Sequence, residues 1–173
     1  MKRMVFAVLA LIVFIGISAN AHAWGYARKG HFRLGVFAPG VFVGNKGIDG
    51  MLSVGLEGEY FILENLSASF RIEEATDFKI GASPHSVLNF VARARYVFDI
   101  GNSGNWAAYV QGGLGGAIIG KSHGAFDLAI PGGGFWYQWY QNWFIGLDCS
   151  MHILIRNPTA IAFDVTPSIR YQF

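Results

Sequence analysis

The chain has 173 residues, with 53% apolar types, only 14% charged types and a single cysteine. A typical soluble domain carries about 25% charged residues, so a disordered chain, a coiled coil and a disulfide scaffold are excluded. With 23 glycines and 16% aromatics, and no apolar run near the ~20 residues of a membrane helix, the composition points to a membrane β-barrel.

The N-terminus reads as an export signal. Lys2 and Arg3 precede an apolar run of thirteen residues, Val5 to Ile17, and Ala21-His22-Ala23 has the small-x-small form of a cleavage site. Cleavage after Ala23 would leave 150 residues from Trp24. That chain has 11 basic and 11 acidic side chains and no basic stripe, so nucleic-acid binding has no electrostatic support. Cys149 is the only cysteine, so no intramolecular disulfide can form.

Period two runs through the rest of the chain. Phe32, Leu34, Val36 and Ala38 alternate with Arg33, Gly35 and Phe37. From Leu52 to Ile62, Leu52, Val54, Leu56, Tyr60 and Ile62 alternate with Ser53, Gly55, Glu57, Glu59 and Phe61. Leu66 to Glu73 sets Leu66, Ala68, Phe70 and Ile72 against Ser67, Ser69, Arg71 and Glu73. Leu88 to Phe98 sets apolar residues against Asn89, Val91, Arg93, Arg95 and Val97. Glycines interrupt the next two segments, Trp106 to Ile119 and Phe126 to Trp139. Ile145 to Ile155 is clear again, with Asp148, Ser150, His152 and Leu154 on one face. The last segment sets Phe163, Val165, Pro167, Ile169, Tyr171 and Phe173 against Asp164, Thr166, Ser168, Arg170 and Gln172.

Eight such segments of roughly 7–14 residues predict an all-β, eight-stranded antiparallel up-and-down transmembrane barrel over residues 24–173. The connections alternate. Short turns fall at Leu63–Asn65, Gly101–Asn105 and Tyr140–Asn142, and longer loops at Asn45–Gly50, Ala75–Ser86, Lys121–Ala125 and Asn157–Ala162. Both termini therefore share the short-turn end. Tyr60, Tyr96, Trp106, Trp136, Tyr137, Trp139, Trp143 and Tyr171 gather near that end, which predicts an interfacial girdle.

The closing segment ends in Phe173, with Tyr171, Ile169 and Val165 at alternate positions. It resembles the β-signal read by the bacterial outer-membrane assembly machinery. With the export signal, the eight segments and the hairpin-like stretch Glu59 to Ser67, the chain resembles the small eight-stranded outer-membrane barrels of the OmpA-transmembrane-domain, OmpX and opacity-protein type. The resemblance implies an outer-membrane location, outer-membrane lipids and the assembly machinery as partners, and a monomer. It implies no peptidoglycan-binding domain. Phe173, Tyr171 and Ile169 are the residues it assigns to assembly.

If the apolar parity faces lipid, the interior holds Arg33, Arg71, Arg93, Arg95 and Arg170 with Glu57, Glu59, Glu73, Asp148 and Asp164. An eight-stranded barrel leaves an interior just wide enough for side chains, and buried charges must pair. These ten residues are therefore expected to form an internal network that plugs the lumen, with a narrow ion path as the alternative. Asp148, Ser150 and His152 share one face, which invites a nucleophile–base reading. The eight-stranded lipid A deacylases carry a His-x-Ser order, reversed here as Ser150-x-His152, and their site opens to lipid, where Cys149 and Met151 stand instead. Interior filling is the plainer account. Gly112 to Gly116 lacks the spacing of a phosphate loop, and the histidines show no metal-ligand spacing. No cofactor, metal or catalytic residue is expected. The reading is a small non-catalytic barrel that serves the membrane structurally or presents its loops, such as Ala75–Ser86 with Asp77, Lys79 and His85.

Overall fold

In the computed structural model the described residues are 26–45, 48, 50–77, 86–100, 104–120 and 123–173. The export signal lies outside them, as do 78–85 of the longest loop. Eight strands follow in chain order: β1 (Phe32–Gly44), β2 (Met51–Leu63), β3 (Leu66–Thr76), β4 (Ser86–Asp99), β5 (Trp106–Ile119), β6 (His123–Tyr140), β7 (Trp143–Ile155) and β8 (Ala160–Gln172). Each pairs antiparallel with its sequence neighbour, and β1 pairs with β8 to close the barrel. Closure leaves no strand edge with unpaired amides, the condition for crossing hydrocarbon.

The alternation sets the two faces. In β2 and β3 every second residue is buried, and the intervening Val54, Leu56, Tyr60, Phe70 and Ile72 are exposed on the outside. A soluble barrel would put these apolar side chains inside. Here the apolar face is the outer one and polar residues fill the core, the inverse pattern that a bilayer solvates.

Two β-bulges alter the expected pattern. The register of β1 shifts between Phe37 and Gly40, and that of β6 between Ala129 and Gly132. Pro39 and Pro131 sit in these breaks, where a missing amide costs no ladder bond. The first strand therefore runs past its expected end at Ala38 to Gly44, with Phe37 and then Phe42 inside. Strand β6 begins at His123 and β8 at Ala160, so the loops expected at 121–125 and 157–162 are shorter than expected. The girdle also needs a correction. Trp106, Trp139, Trp143 and Tyr60 are exposed on the outside, but Trp136 is fully buried in the lumen. The bulge at Pro131 reverses the parity of β6 and turns it inward.

The two-residue turn Glu64–Asn65 joins β2 to β3. Asn65 takes the left-handed conformation at φ 64°, which asparagine tolerates. Its amide donates to the Ala27 carbonyl at 2.8 Å, and its own carbonyl accepts from the Val97 amide at 2.8 Å. The segment before β1 is thereby folded across the short-turn end of the barrel.

Candidate functional site

The lumen is built in three layers. At the end bearing the longer loops, Phe42, Ile48, Met51, Val87, Ile119 and Leu154 form an apolar cap with small alanines between them. At the short-turn end, Ala27, Phe61, Val97, Tyr109, Trp136 and Phe144 form an aromatic cap, against which Tyr26 packs. Between the caps lie the charges.

All ten expected interior charges are buried, none more than 3% exposed. They do not form one uniform net. Arg95 is the hub: Nη1 donates to Glu57 at 2.9 Å and Glu59 at 2.7 Å, while Nε and Nη2 donate to Gln111 Oε1 at 3.0 and 2.7 Å. Arg170 Nη2 donates to both Asp148 oxygens, at 2.9 and 3.0 Å. Arg71 Nη2 stands 2.9 Å from Glu73 Oε1 and 3.1 Å from Asp164 Oδ2. Arg33 belongs to the short-turn end. Its Nε donates to Gln172 Oε1 at 2.7 Å, its Nη2 donates to the Tyr26 carbonyl at 3.0 Å, and Glu59 is 3.8 Å away. Arg93 is the exception, with Glu57 at 3.8 Å and no hydrogen bond from any guanidinium nitrogen to the described residues.

The aromatic rings complete the packing. The Arg33 guanidinium lies 4.7 Å from the ring centres of Phe61, Trp136 and Phe144, and Arg170 lies 4.5 Å from Trp136. A cation over an aromatic face gains about 0.5–2 kcal/mol, more when desolvated. The aromatic cap therefore both seals one end and solvates the charges beside it.

Asp148, Ser150 and His152 are all buried, but they have different partners. Asp148 holds Arg170, and Ser150 Oγ accepts from Gln111 Nε2 at 3.1 Å. His152 Nδ1 lies 2.8 Å from Asp127 Oδ2. Sequence reasoning missed Asp127, fully buried on β6, because the bulge at Pro131 breaks the parity of that strand. His152 also packs under the apolar cap, with its ring centre 5.4 Å from that of Phe42. Of the assembly residues, Ile169 and Phe173 are exposed on the outer face. Tyr171 and Phe173 meet edge to face at 4.9 Å, and the Phe173 amide donates to the Phe32 carbonyl at 2.9 Å. Cys149 is exposed on the same outer face.

No family model matches the sequence, and no curated protein matches it. Solved structures do. Neisserial surface protein A is similar with a TM-score of 0.69 at 14% identity, over 84% of this chain and 100% of that one. Ail, the attachment invasion locus protein of Yersinia pestis, is similar with a TM-score of 0.59 at 14% identity, over 84% of this chain and 99% of that one. A de novo designed transmembrane β-barrel is similar with a TM-score of 0.53 at 14% identity, over 84% and 98%. At such identities the likeness is one of fold: this chain has the closed eight-stranded transmembrane barrel of the small outer-membrane proteins.

Proposed function

We propose that the protein is a non-catalytic, non-conducting integral barrel of the bacterial outer membrane, serving the envelope structurally or through its outer loops. The observation that carries this reading is the double closure of the lumen. An ion would have to displace the aromatic cap, cross a charge layer in contact from wall to wall, and displace the apolar cap. Nor does the Asp127–His152 pair hold a hydroxyl: Ser150 hydrogen-bonds Gln111 instead. In planar bilayers the folded protein is expected to give no unit conductance. Discrete channel steps that survive repurification would favour the narrow-pore reading. Lipid A mass spectra from cells with and without the protein should be identical.

The orientation follows from the loop asymmetry of such barrels. The short-turn end, with Asn142, faces the periplasm, and the β7–β8 connection, with Thr159, faces outward. In a Cys149→Ser background, Thr159→Cys should label in intact cells with an impermeant thiol reagent, and Asn142→Cys should not. The reverse pattern would invert the topology. The outward row Ile169, Tyr171 and Phe173 is the part of β8 available to the assembly machinery. Phe173→Ala should lower the yield of inserted barrel more than it lowers the stability of the barrel that does insert.

A further inference from the structure

The upper corner of the charge layer, beneath the apolar cap, holds Glu73 and Asp164, both paired with Arg71, beside His152; Asp164 Oδ1 also accepts from Thr166 Oγ1 and Ser53 Oγ. A ring nitrogen of His152, a carboxylate oxygen of Glu73 and one of Asp164 lie within 4.8 Å of one another. They come from β7, β3 and β8, so they meet across the lumen. All three are buried, with His152 fully so. His152 Nδ1 is engaged by Asp127, and Nε2 has no hydrogen-bond partner among the described residues. Among the described residues neither Glu73 oxygen has a hydrogen-bond donor, although Oε1 is ion-paired with Arg71.

In the neutral His152 ring with its proton on Nδ1, donated to Asp127, Nε2 carries a lone pair. A carboxylate that fixes the tautomer of a histidine in this way is the usual outer partner of a metal-bound imidazole. The charges agree. Glu73, Asp164 and Asp127 bring three negative charges, and Arg71 is the cation in contact with two of them. The Arg93 guanidinium makes no hydrogen bond to the described residues. Two positive charges would balance the corner. Donors about 2.0–2.2 Å from a tetrahedral ion stand roughly 3.3–3.6 Å apart, so side-chain shifts of about an ångström would close this group around one.

We propose that His152, Glu73 and Asp164 form a binding site for one divalent transition-metal ion of the zinc class, which staples three strands together across the lumen. One imidazole with two carboxylates suits zinc, and manganese more weakly. Arg71 remains as the counter-charge, on Glu73 Oε1 and Asp164 Oδ2. Because the site lies under the apolar cap, loading accompanies folding or needs the cap to open.

The test uses the protein folded in detergent micelles with zinc chloride or with EDTA, followed by gel filtration and metal analysis. The wild type is expected to retain one zinc per chain when folded with zinc and to unfold at a higher temperature than the EDTA-folded protein. Glu73→Gln and His152→Gln should lose the zinc, and Asp127→Asn should bind roughly 10–100-fold more weakly. The heat-modifiable band on a gel confirms that each variant has folded. A zinc-free wild type would overturn the proposal, as would equal zinc retention by Glu73→Gln and His152→Gln, which would place the metal on surface histidines. Should both variants fail to fold, the imidazole 15N resonances of wild-type His152 decide the matter. A zinc-dependent shift confined to Nε2 supports the site, and a ring unchanged by zinc removes it.

Discussion

The wall formed by β2, β3 and β4 and the wall formed by β5, β6 and β7 fill the same lumen in opposite ways. The first sends in long charged side chains, among them Glu57, Glu59, Arg71, Glu73, Arg93 and Arg95. The second is rich in glycine and carries the rings of Tyr109 and Trp136. A Cβ on Gly113 would stand 2.7 Å from Arg93 Cγ, and one on Gly132 would stand 2.8 Å from Gln111 Cγ. One on Gly146 would meet Trp136 Cδ1 at 2.5 Å. Eight strands fix the interior volume, so long side chains on one wall require bare backbone on the other. Gly113 makes room for Arg93, Gly132 for Gln111 and Gly146 for Trp136.

The largest expected effect lies on the charged wall. Arg95→Met removes the cation shared by Glu57 and Glu59 and leaves Gln111 Oε1 without two donors. Breaking a buried pair by removing one partner costs about 3–5 kcal/mol. Unfolding in guanidinium, followed by tryptophan fluorescence in micelles, should show this loss. Adding Glu57→Gln and Glu59→Gln should restore a large part of it. A loss under about 1 kcal/mol would mean that solvent enters the lumen and screens the network.

The next effect tests the bare wall. Gly113→Val would put its Cβ 2.6 Å from the Ala92 carbonyl oxygen as well as against Arg93. Overpacking of this kind costs typically 1–3 kcal/mol. The same unfolding assay applies, and a variant as stable as the wild type would show that the two walls are not matched in volume.

These two walls were not equally legible in the sequence. The charged wall keeps strict alternation, so Glu57, Glu59, Arg71, Arg93 and Arg95 could be placed inside from parity alone. The glycine-rich wall could not be read this way, because a glycine marks neither face. The bulge at Pro131 then reverses the parity within β6. Asp127 and Trp136 both point inward although one is at an odd position and the other at an even one. That reversal hid Asp127, and Trp136, placed at the lipid interface only by its nearness to the short turns, points inward instead. In β1 the alternation read from the sequence stops at Ala38, whereas the strand continues through the bulge at Pro39 to Gly44. The group of His152, Glu73 and Asp164 has no linear spacing to betray it, since closure of the barrel brings three strands together.

A smaller effect is expected at Ser150. Ser150→Ala removes the acceptor for Gln111 Nε2, while Gln111 keeps Arg95 through its Oε1. The cost should be about 1 kcal/mol, with insertion and lipid A unchanged. A selective change in lipid A would revive the catalytic reading of this face.

The smallest change is expected two residues from the largest. Arg93 and Arg95 are inward neighbours on β4 and equally buried, yet their surroundings differ. Arg95 saturates its donors, whereas the Arg93 guanidinium makes no hydrogen bond to the described residues and has Glu57 only at 3.8 Å. The desolvation of its guanidinium is therefore poorly compensated. Glu57 keeps Arg95 at 2.9 Å and Arg170 at 3.6 Å when Arg93 is gone, so no carboxylate is stranded. Arg93→Met keeps much of the volume and removes the charge. Its stability should fall within about 1 kcal/mol of the wild type or exceed it. The relief should extend to the adjoining strand of the second wall, because Gly113 is the cross-strand partner of Arg93 and Arg93 Cγ is the flexible atom nearest its missing Cβ. Arg93→Ala combined with Gly113→Ala should then cost less than the sum of the two single changes, by roughly 0.5–3 kcal/mol of coupling. Strict additivity would separate the two walls energetically. A loss at Arg93→Met as large as at Arg95→Met would show that the guanidinium finds partners in solution, such as ordered water, that make it equal to its neighbour.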